Sequence, residues 1–346
     1  MLVENRKRVT VKDIAKELNI SSGTVSKALT RKPGASKKMR AQVYDKAKEM
    51  GYEVNRLAQS LARKPINISV IYPAVWGEYY GEIIKGMKTA LRSLSDFNVS
   101  GKFYQFPNLY ADEELFGIID QIIDEKPAAV ILCPASVTDC KECLKKLNEN
   151  RILVLLVGND FKESARIACV RVNAHMAGRL AAEMMNHITP ENAGIVALIG
   201  DKSIREHTEK IEGFRSELEG GRHLVQIFET QDEPEKAEHL TRKILKDMPN
   251  IAGIYAATGN SPAICRVIEE QMSSGHTSGI KMIATDLYDE IVPFMKNRIV
   301  SAVIFQDPAQ QGREAVLQCY NYITDRKIKS SHILIEPRII LRSNLT

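Results

Sequence analysis

No stretch of this chain approaches the ~18–20 consecutive apolar residues of a membrane span; the longest apolar run, 152–158, has the length of a buried strand. Arg6, Lys7 and Arg8 could open an export signal, but no apolar segment follows them. A cytoplasmic protein without membrane contact is therefore expected. The sequence also lacks a G-x-x-x-x-G-K-[ST] phosphate loop, an H-E-x-x-H pair, a G-x-S-x-G elbow and a G-x-G-x-x-G turn. Its seven histidines are dispersed without metal-ligand spacing. Six cysteines in a chain of 346 residues read as free thiols in a reducing compartment, and Cys140 and Cys143, a lone C-x-x-C, read as ordinary helix residues. Acidic runs such as Asp112, Glu113 and Glu114 read as charges at a helix N-terminus. No short-period repeat or low-complexity segment is present. These absences remove the grounds for an enzyme, a bound cofactor or a metal site.

What is present is an uneven distribution of charge. The formal net charge is only +5, yet residues 1–65 hold sixteen Lys or Arg against six Asp or Glu, an excess of ten. The other 281 residues are left with a net −5. A basic head on a mildly acidic body is the electrostatic footprint of a nucleic-acid-binding module joined to a domain with a different task.

The spacing within 9–29 predicts two short helices with a tight turn. Val11, Ile14, Ala15 and Leu18 fall at i, i+3, i+4 and i+7, with Thr10 placed to cap them. Asn19 stands at the turn, and Asn is one of the few non-glycine residues that accepts a positive φ. Ser21 or Ser22 can cap a second helix whose apolar side is Val25, Ala28 and Leu29 and whose outer side carries Ser22, Gly23, Ser26 and Lys27. Small polar residues and one lysine leave such a helix free to approach base edges. Ser36 can cap a third helix, which Gly51 ends.

On these residues the segment resembles the helix-turn-helix of the LacI/GalR family of transcription regulators. Thr10, Asp13, Ile14, Ala15, Ile20, Ser21, Thr24, Val25, Ser26 and Lys27 match the family pattern, and Asn19 replaces its commoner glycine. The resemblance implies DNA contacts from Thr10, Ser21, Ser22, Gly23, Thr24, Ser26 and Lys27. It extends to 55–63, where Asn55, Ala58, Ser60 and Leu61 match the family's hinge helix. That match implies contacts from Asn55 and a minor-groove wedge at Leu61. A helix this short is marginal alone, and an apolar wedge beside Arg56 and Arg63 suits DNA bending.

From residue 67 onward, short β-rich runs alternate with amphipathic stretches. Runs 68–72, 99–104, 129–132, 152–157, 195–199, 224–228, 253–256, 282–284 and 302–305 read as strands. Alternation of this kind implies parallel, doubly wound sheets, and about ten strands exceed one comfortable open sheet. The expected fold is therefore α/β: a small all-α helix-turn-helix domain (1–53), a hinge helix and linker (54–65), and a two-subdomain, doubly wound effector and dimerisation domain (66–346). The last resembles the periplasmic-binding-protein-like body of the same family.

Ligands in such sheets sit beyond the carboxyl ends of the strands. The loop after the first strand carries Trp76, the single tryptophan, with Tyr79 and Tyr80 at the family's paired aromatic positions. Aromatic faces can cover the C–H faces of a sugar. The resemblance further places Asn173, Lys210, Asp286 and Gln306 as effector contacts, and Arg205 and His207 lie in the same loop region. Lys210 stands where the family has Arg, and it cannot offer the bidentate fork. Together these features lead to a ligand-controlled regulator, most simply a repressor. It would bind double-stranded, near-palindromic operator DNA as a homodimer, with a tetramer left open, and answer to a sugar, polyol or sugar derivative. An exported sugar-binding protein would share the body but have no use for the basic head.

Overall fold

The computed structural model describes residues 9–29, 34–52, 64–74, 77–107, 113–134, 137–160, 165–275 and 279–345. The readings placed on Asn55, Leu61 and Trp76, and on Arg6, Lys7 and Arg8, lie outside the described residues. The chain divides into two units, Met1–Lys64 and Pro65–Thr346.

Among its described residues the first unit holds three short helices, α1 (Val11–Glu17), α2 (Ser22–Leu29) and α3 (Lys37–Glu49). Local chemistry sets their ends. The Thr10 backbone N–H and hydroxyl both donate to Asp13 Oδ2 at 2.7 Å, which ties off the start of α1. Asn19 adopts the left-handed conformation its position called for, with φ 52°. Ser21, rather than Ser22, caps α2, its Oγ accepting from Thr24 N at 3.0 Å. Ser36 Oγ accepts from Met39 N at 3.2 Å to cap α3. Ile14, Ala15, Val25, Ala28, Val43 and Ala47 are the buried residues of the small core. Tyr52 packs back onto it.

The second unit is built of two lobes that the chain enters alternately. It forms β1 (Ile66–Pro73), α4 (Gly77–Ser93), β2 (Val99–Phe106), α5 (Glu113–Glu125), β3 (Ala129–Leu132), α6 (Val137–Glu149), β4 (Leu153–Val157) and β5 (Ala168–Val172) in lobe 1. It then crosses into lobe 2 for α7 (Ala174–Ile188), β6 (Gly194–Ile199), α8 (Arg205–Glu217), β7 (His223–Glu229), α9 (Pro234–Asp247) and β8 (Ile251–Ala257). Lobe 2 continues through α10 (Ser261–Ser273), β9 (Lys281–Thr285), α11 (Ile291–Lys296) and β10 (Val300–Phe305). The chain returns to lobe 1 for α12 (Pro308–Asp325) and β11 (His332–Ile335), and ends in lobe 2 with β12 (Arg338–Ile340).

The sheet orders are β11-β5-β4-β3-β1-β2 and β12-β10-β9-β8-β6-β7. Pairing is parallel throughout except between β10 and β12. Central strands such as β3 and β5 are buried along their whole length, as helices on both faces require.

Each lobe contains one helix pair that approaches unusually closely. In lobe 2 a Cβ at Gly178 of α7 would lie 1.9 Å from the Lys210 carbonyl oxygen of α8, and one at Gly213 would lie 2.0 Å from the His175 oxygen. Lobe 1 repeats the arrangement with Gly86 of α4 and Gly312 of α12. Only residues without a side chain allow backbones this near, and the contact fixes where the first turns of α8 and α4 point.

Candidate functional site: an interlobe cleft

The segments that follow β4, β6, β7, β8, β9 and β10, with the start of α4, line a cavity between the lobes. Its volume is about 70 Å³, several times the ~10–15 Å³ one water needs. Tyr79 and Tyr80 reach it from the start of α4, and Asn159 follows β4. Ile204, Glu206, His207 and Lys210 come from the β6–α8 segment, Asp232 follows β7, and Thr258 with Gly259 follows β8. Thr285 ends β9, Asp286 and Tyr288 follow it, and Gln306 follows β10.

Asp286 is the centre of the polar wiring. It is 3% exposed and holds φ 61°. One of its oxygens accepts from the Gln306 backbone N–H at 3.2 Å, and the other accepts from Gln306 Nε2 at 2.6 Å and from the Tyr288 hydroxyl at 3.4 Å. Burial pushes the Asp286 carboxyl up to about 6, against the opposing pull of Lys210 and Gln306. The bonds continue into lobe 1: Gln311 Nε2 donates to the Gln306 carbonyl at 3.1 Å, and the Tyr79 hydroxyl donates to Gln311 Oε1 at 3.4 Å. Gln306 Oε1 is buried and finds no hydrogen-bond partner among the described residues.

Lys210 is 2% exposed and donates to Glu206 Oε1 at 2.7 Å, one helical turn back. Its charge is thereby committed within α8. His207 Nδ1 lies 2.9 Å from the Asp201 backbone nitrogen and 3.0 Å from its carbonyl. Burial, aided by Lys210, lowers the His207 pKa from its ordinary 6.5, which leaves a neutral ring at neutral pH. Asp232 is held by Thr258 Oγ1 at 2.9 Å. Tyr79 and Tyr80 meet edge to face, their ring centroids 5.3 Å apart. Burial raises both tyrosine pKa values far above 10, so both remain neutral hydroxyls.

The structure brings together five of the effector residues expected from sequence: Tyr79, Tyr80, Lys210, Asp286 and Gln306, with His207 beside them. Asn173 and Arg205 fall outside that lining. Asn173 accepts from Met176 N at the start of α7 and donates to Glu336 at 3.2 Å. Arg205 is spent on Glu209, 2.6 Å away. Glu209 also receives a bidentate contact from Arg171 of β5, an ion pair that spans the lobes. Glu206, Asp232, Thr258 and Tyr288 were missed. Reading the loop after every strand to its end would have reached Asp232 and Thr258, and Tyr288 is two residues past Asp286. The lobes are tied at their crossings by the Asn173–Glu336 bonds and by Arg338 on Asp307 at 2.6 Å.

The head residues are distributed as follows. Ser22, Gly23, Ser26 and Lys27 are exposed on α2, while Val25 and Ala28 on its other side are buried. The Thr24 and Ser21 hydroxyls lie 2.8 Å from each other, and Thr10 is bound to Asp13. Lys37 and Lys38 are exposed at the start of α3.

Two largely parallel sheets joined by three chain crossings, with a polar cavity at their facing carboxyl ends, make the two-lobed α/β architecture of a binding-protein domain. The chain belongs to the periplasmic binding protein domain family, whose model matches residues 68–327. It is similar to catabolite control protein A of Staphylococcus epidermidis, at 23% identity over 96% of this chain and 98% of that protein. Among solved structures it resembles an ABC transporter solute-binding protein from Burkholderia graminis in complex with D-arabinose. That match has TM-score 0.73 and 20% identity, covering 81% of this chain and 96% of the other. A LacI transcriptional regulator from Bacteroides fragilis, so described only provisionally, matches with TM-score 0.70 and 20% identity, covering 81% of this chain and 98% of the other. Among the described residues, no helix is long and apolar enough to cross a membrane.

Proposed function

We propose that this protein is a DNA-binding transcription regulator of the LacI/GalR type whose operator affinity is set by a sugar or polyol held in the interlobe cleft. The observation that carries this reading is the pairing of a basic three-helix head with a periplasmic-binding-protein body in one chain. The alignment with catabolite control protein A adds support, because at 96% coverage it must run through most of the head. The exposed Ser22, Gly23, Ser26 and Lys27 form the base-reading face of α2, with Ser21 and Thr24 near its start and Thr10 at the start of α1. Residues 1–53 are the reading head, 54–65 the hinge carrying Asn55 and Leu61, and 66–346 the effector and dimerisation body. The protein acts in the cytoplasm as a homodimer on a near-palindromic site, since one such head reads only a few base pairs.

In the body, Asp286, Gln306 and Asp232 supply paired acceptors and donors for vicinal hydroxyls, and Tyr79 and Tyr80 supply aromatic cover. Trp76 is proposed as a further aromatic contact of the same ligand. Ligand in the cleft biases the angle between the lobes and hence the hinge at 54–65, giving a reciprocal coupling of about 1–3 kcal/mol between ligand and operator. The sugar-bound neighbour supports a second reading, a transport-type binding protein, but the helices from Val11 to Glu49 have no part in that task. Selection of binding sites from random duplex DNA by the full chain separates the two. Enrichment of a two-fold symmetric sequence supports the regulator, and recovery of no sequence above background rejects it.

A further inference from the structure

Resting on the reading of the cleft as a polyol site, we propose that its ligand carries a protonated amine, as an amino sugar or amino polyol does, and that phosphorylated and carboxylated sugars are excluded. The inference comes from counting charge and hydrogen-bonding capacity around the cavity. Three carboxylates line it, Glu206, Asp232 and Asp286. Among the described residues Lys210 is the only ammonium in the lining, and it is bonded to Glu206 at 2.7 Å, so that pair is neutral. His207 is held neutral by its burial. Among the described residues no arginine contributes to the lining. Among the described residues, Asp232 and Asp286 are thus left facing the cavity with no cation bonded to them.

Their hydrogen bonds come from neutral groups. Asp286 receives Gln306 and Tyr288, and Asp232 receives the Thr258 hydroxyl. Neutral donors soften the cost of burying a carboxylate but do not cancel its charge. The rise in the Asp286 pKa is the sign of that uncancelled burial. Gln306 Oε1, which belongs to a residue of the same lining, is a further buried acceptor with no partner among the described residues. A site with two unneutralised carboxylates and a vacant acceptor favours a ligand that brings donors and positive charge. An anionic group placed here would meet like charge and, among the described residues, no guanidinium to receive it.

The test is calorimetry on the full chain at about pH 7.5 with three matched series. These are D-glucosamine, D-galactosamine and D-mannosamine, their neutral parent hexoses, and the parents' 6-phosphates. At least one amino sugar should bind on the order of tenfold more tightly than its parent, as expected when a ligand charge meets a buried opposite charge. No 6-phosphate should bind. Asp286→Asn and, separately, Asp232→Asn should each reduce the preference for the amine, so a fold defect in one variant does not decide the matter. A neutral hexose that binds as well as its amino form, or any 6-phosphate that binds, overturns the charge inference and leaves the polyol site standing. Failure of every member of all three series counts against both.

Discussion

Gln306 grips the Asp286 carboxylate from two directions, its backbone N–H on one oxygen at 3.2 Å and its side-chain amide on the other at 2.6 Å. These residues directly follow two neighbouring strands of lobe 2, and Gln306 sits just before the return crossing into lobe 1. The buried acid is therefore fixed beside the point where the chain crosses between the lobes.

This burial has a price in stability that pH should reveal. The folded-state value of Asp286, about 6, lies above its ordinary 3.8. The native carboxyl therefore retains a proton across a window where the unfolded chain has released it. Its favourable contribution is complete below the ordinary value and is lost as pH rises through 6, a swing on the order of 2–3 kcal/mol. Asp286→Asn, which keeps an acceptor and tolerates the positive φ, should flatten this part of the pH profile. Melting of the ligand-free protein at about pH 5 and about pH 8 measures it. A variant whose two melting temperatures track those of the parent would show that Asp286 is not the source.

A different dependence is expected at the Arg171–Glu209 contact. Burial pulls the Glu209 pKa up, but Arg171 and then Arg205 outweigh it and hold the carboxyl below 4.5. Its stabilisation is present above the ordinary value and lost as pH falls through the lower folded one. Glu209→Gln leaves Arg171, 6% exposed, without its countercharge. Breaking one side of such a pair costs ~3–5 kcal/mol. Urea titration of parent and variant near neutral pH provides the comparison, and a loss under about 1 kcal/mol would mean the pair contributes little.

Gly178→Ala should weaken the body by ~1–3 kcal/mol through overpacking, because the added methyl meets a backbone oxygen that cannot rotate away. That oxygen belongs to Lys210, so the variant should also displace the Lys210–Glu206 pair and reduce ligand affinity. Gly117→Ala, with open space around the added carbon, is the control. Equal unfolding midpoints for the two variants would refute the close approach of α7 and α8.

In the head, Lys27→Ala should lose ~1–3 kcal/mol of operator binding and relax the preference at one position per half-site. Lys37→Ala should instead weaken all sequences alike and reduce the salt dependence by about one phosphate contact. Binding to a set of single-base operator variants distinguishes them. If both substitutions act uniformly, α2 is not the element that reads bases.

The alternation of β and α segments was legible because parallel strands covered on both faces are simple apolar runs, and all nine runs identified from sequence lie within observed strands or overlap them. β5 was missed because Arg171 interrupts its apolar pattern, and that arginine is buried only by virtue of Glu209 on another lobe. β11 and β12 are short and half exposed, so their sequences resemble loops; what makes them strands is a partner edge far away in the chain. Within the cleft, Asp286 and Gln306 could be found because the family resemblance points to them, and each directly follows an apolar strand. The commitment of Lys210 to Glu206 could have been suspected from their i, i+4 spacing, but its consequence for the cavity's charge depends on burial.

The position of β11 and β12 bears on how the protein is made. Each lobe takes an edge strand from residues 332–340, so lobe 1's sheet cannot be completed until Ile335, and lobe 2's until Ile340, has left the ribosome. Lobe 1 waits longest. Its first five strands end at Val172, yet α12, which covers them, begins at Pro308 after all of lobe 2's other strands have been synthesised. During that interval the lobe 1 surface awaiting Ala315, Val316 and Cys319 is uncovered, and a nascent chain in that state is a natural client for holding factors that shield apolar surface.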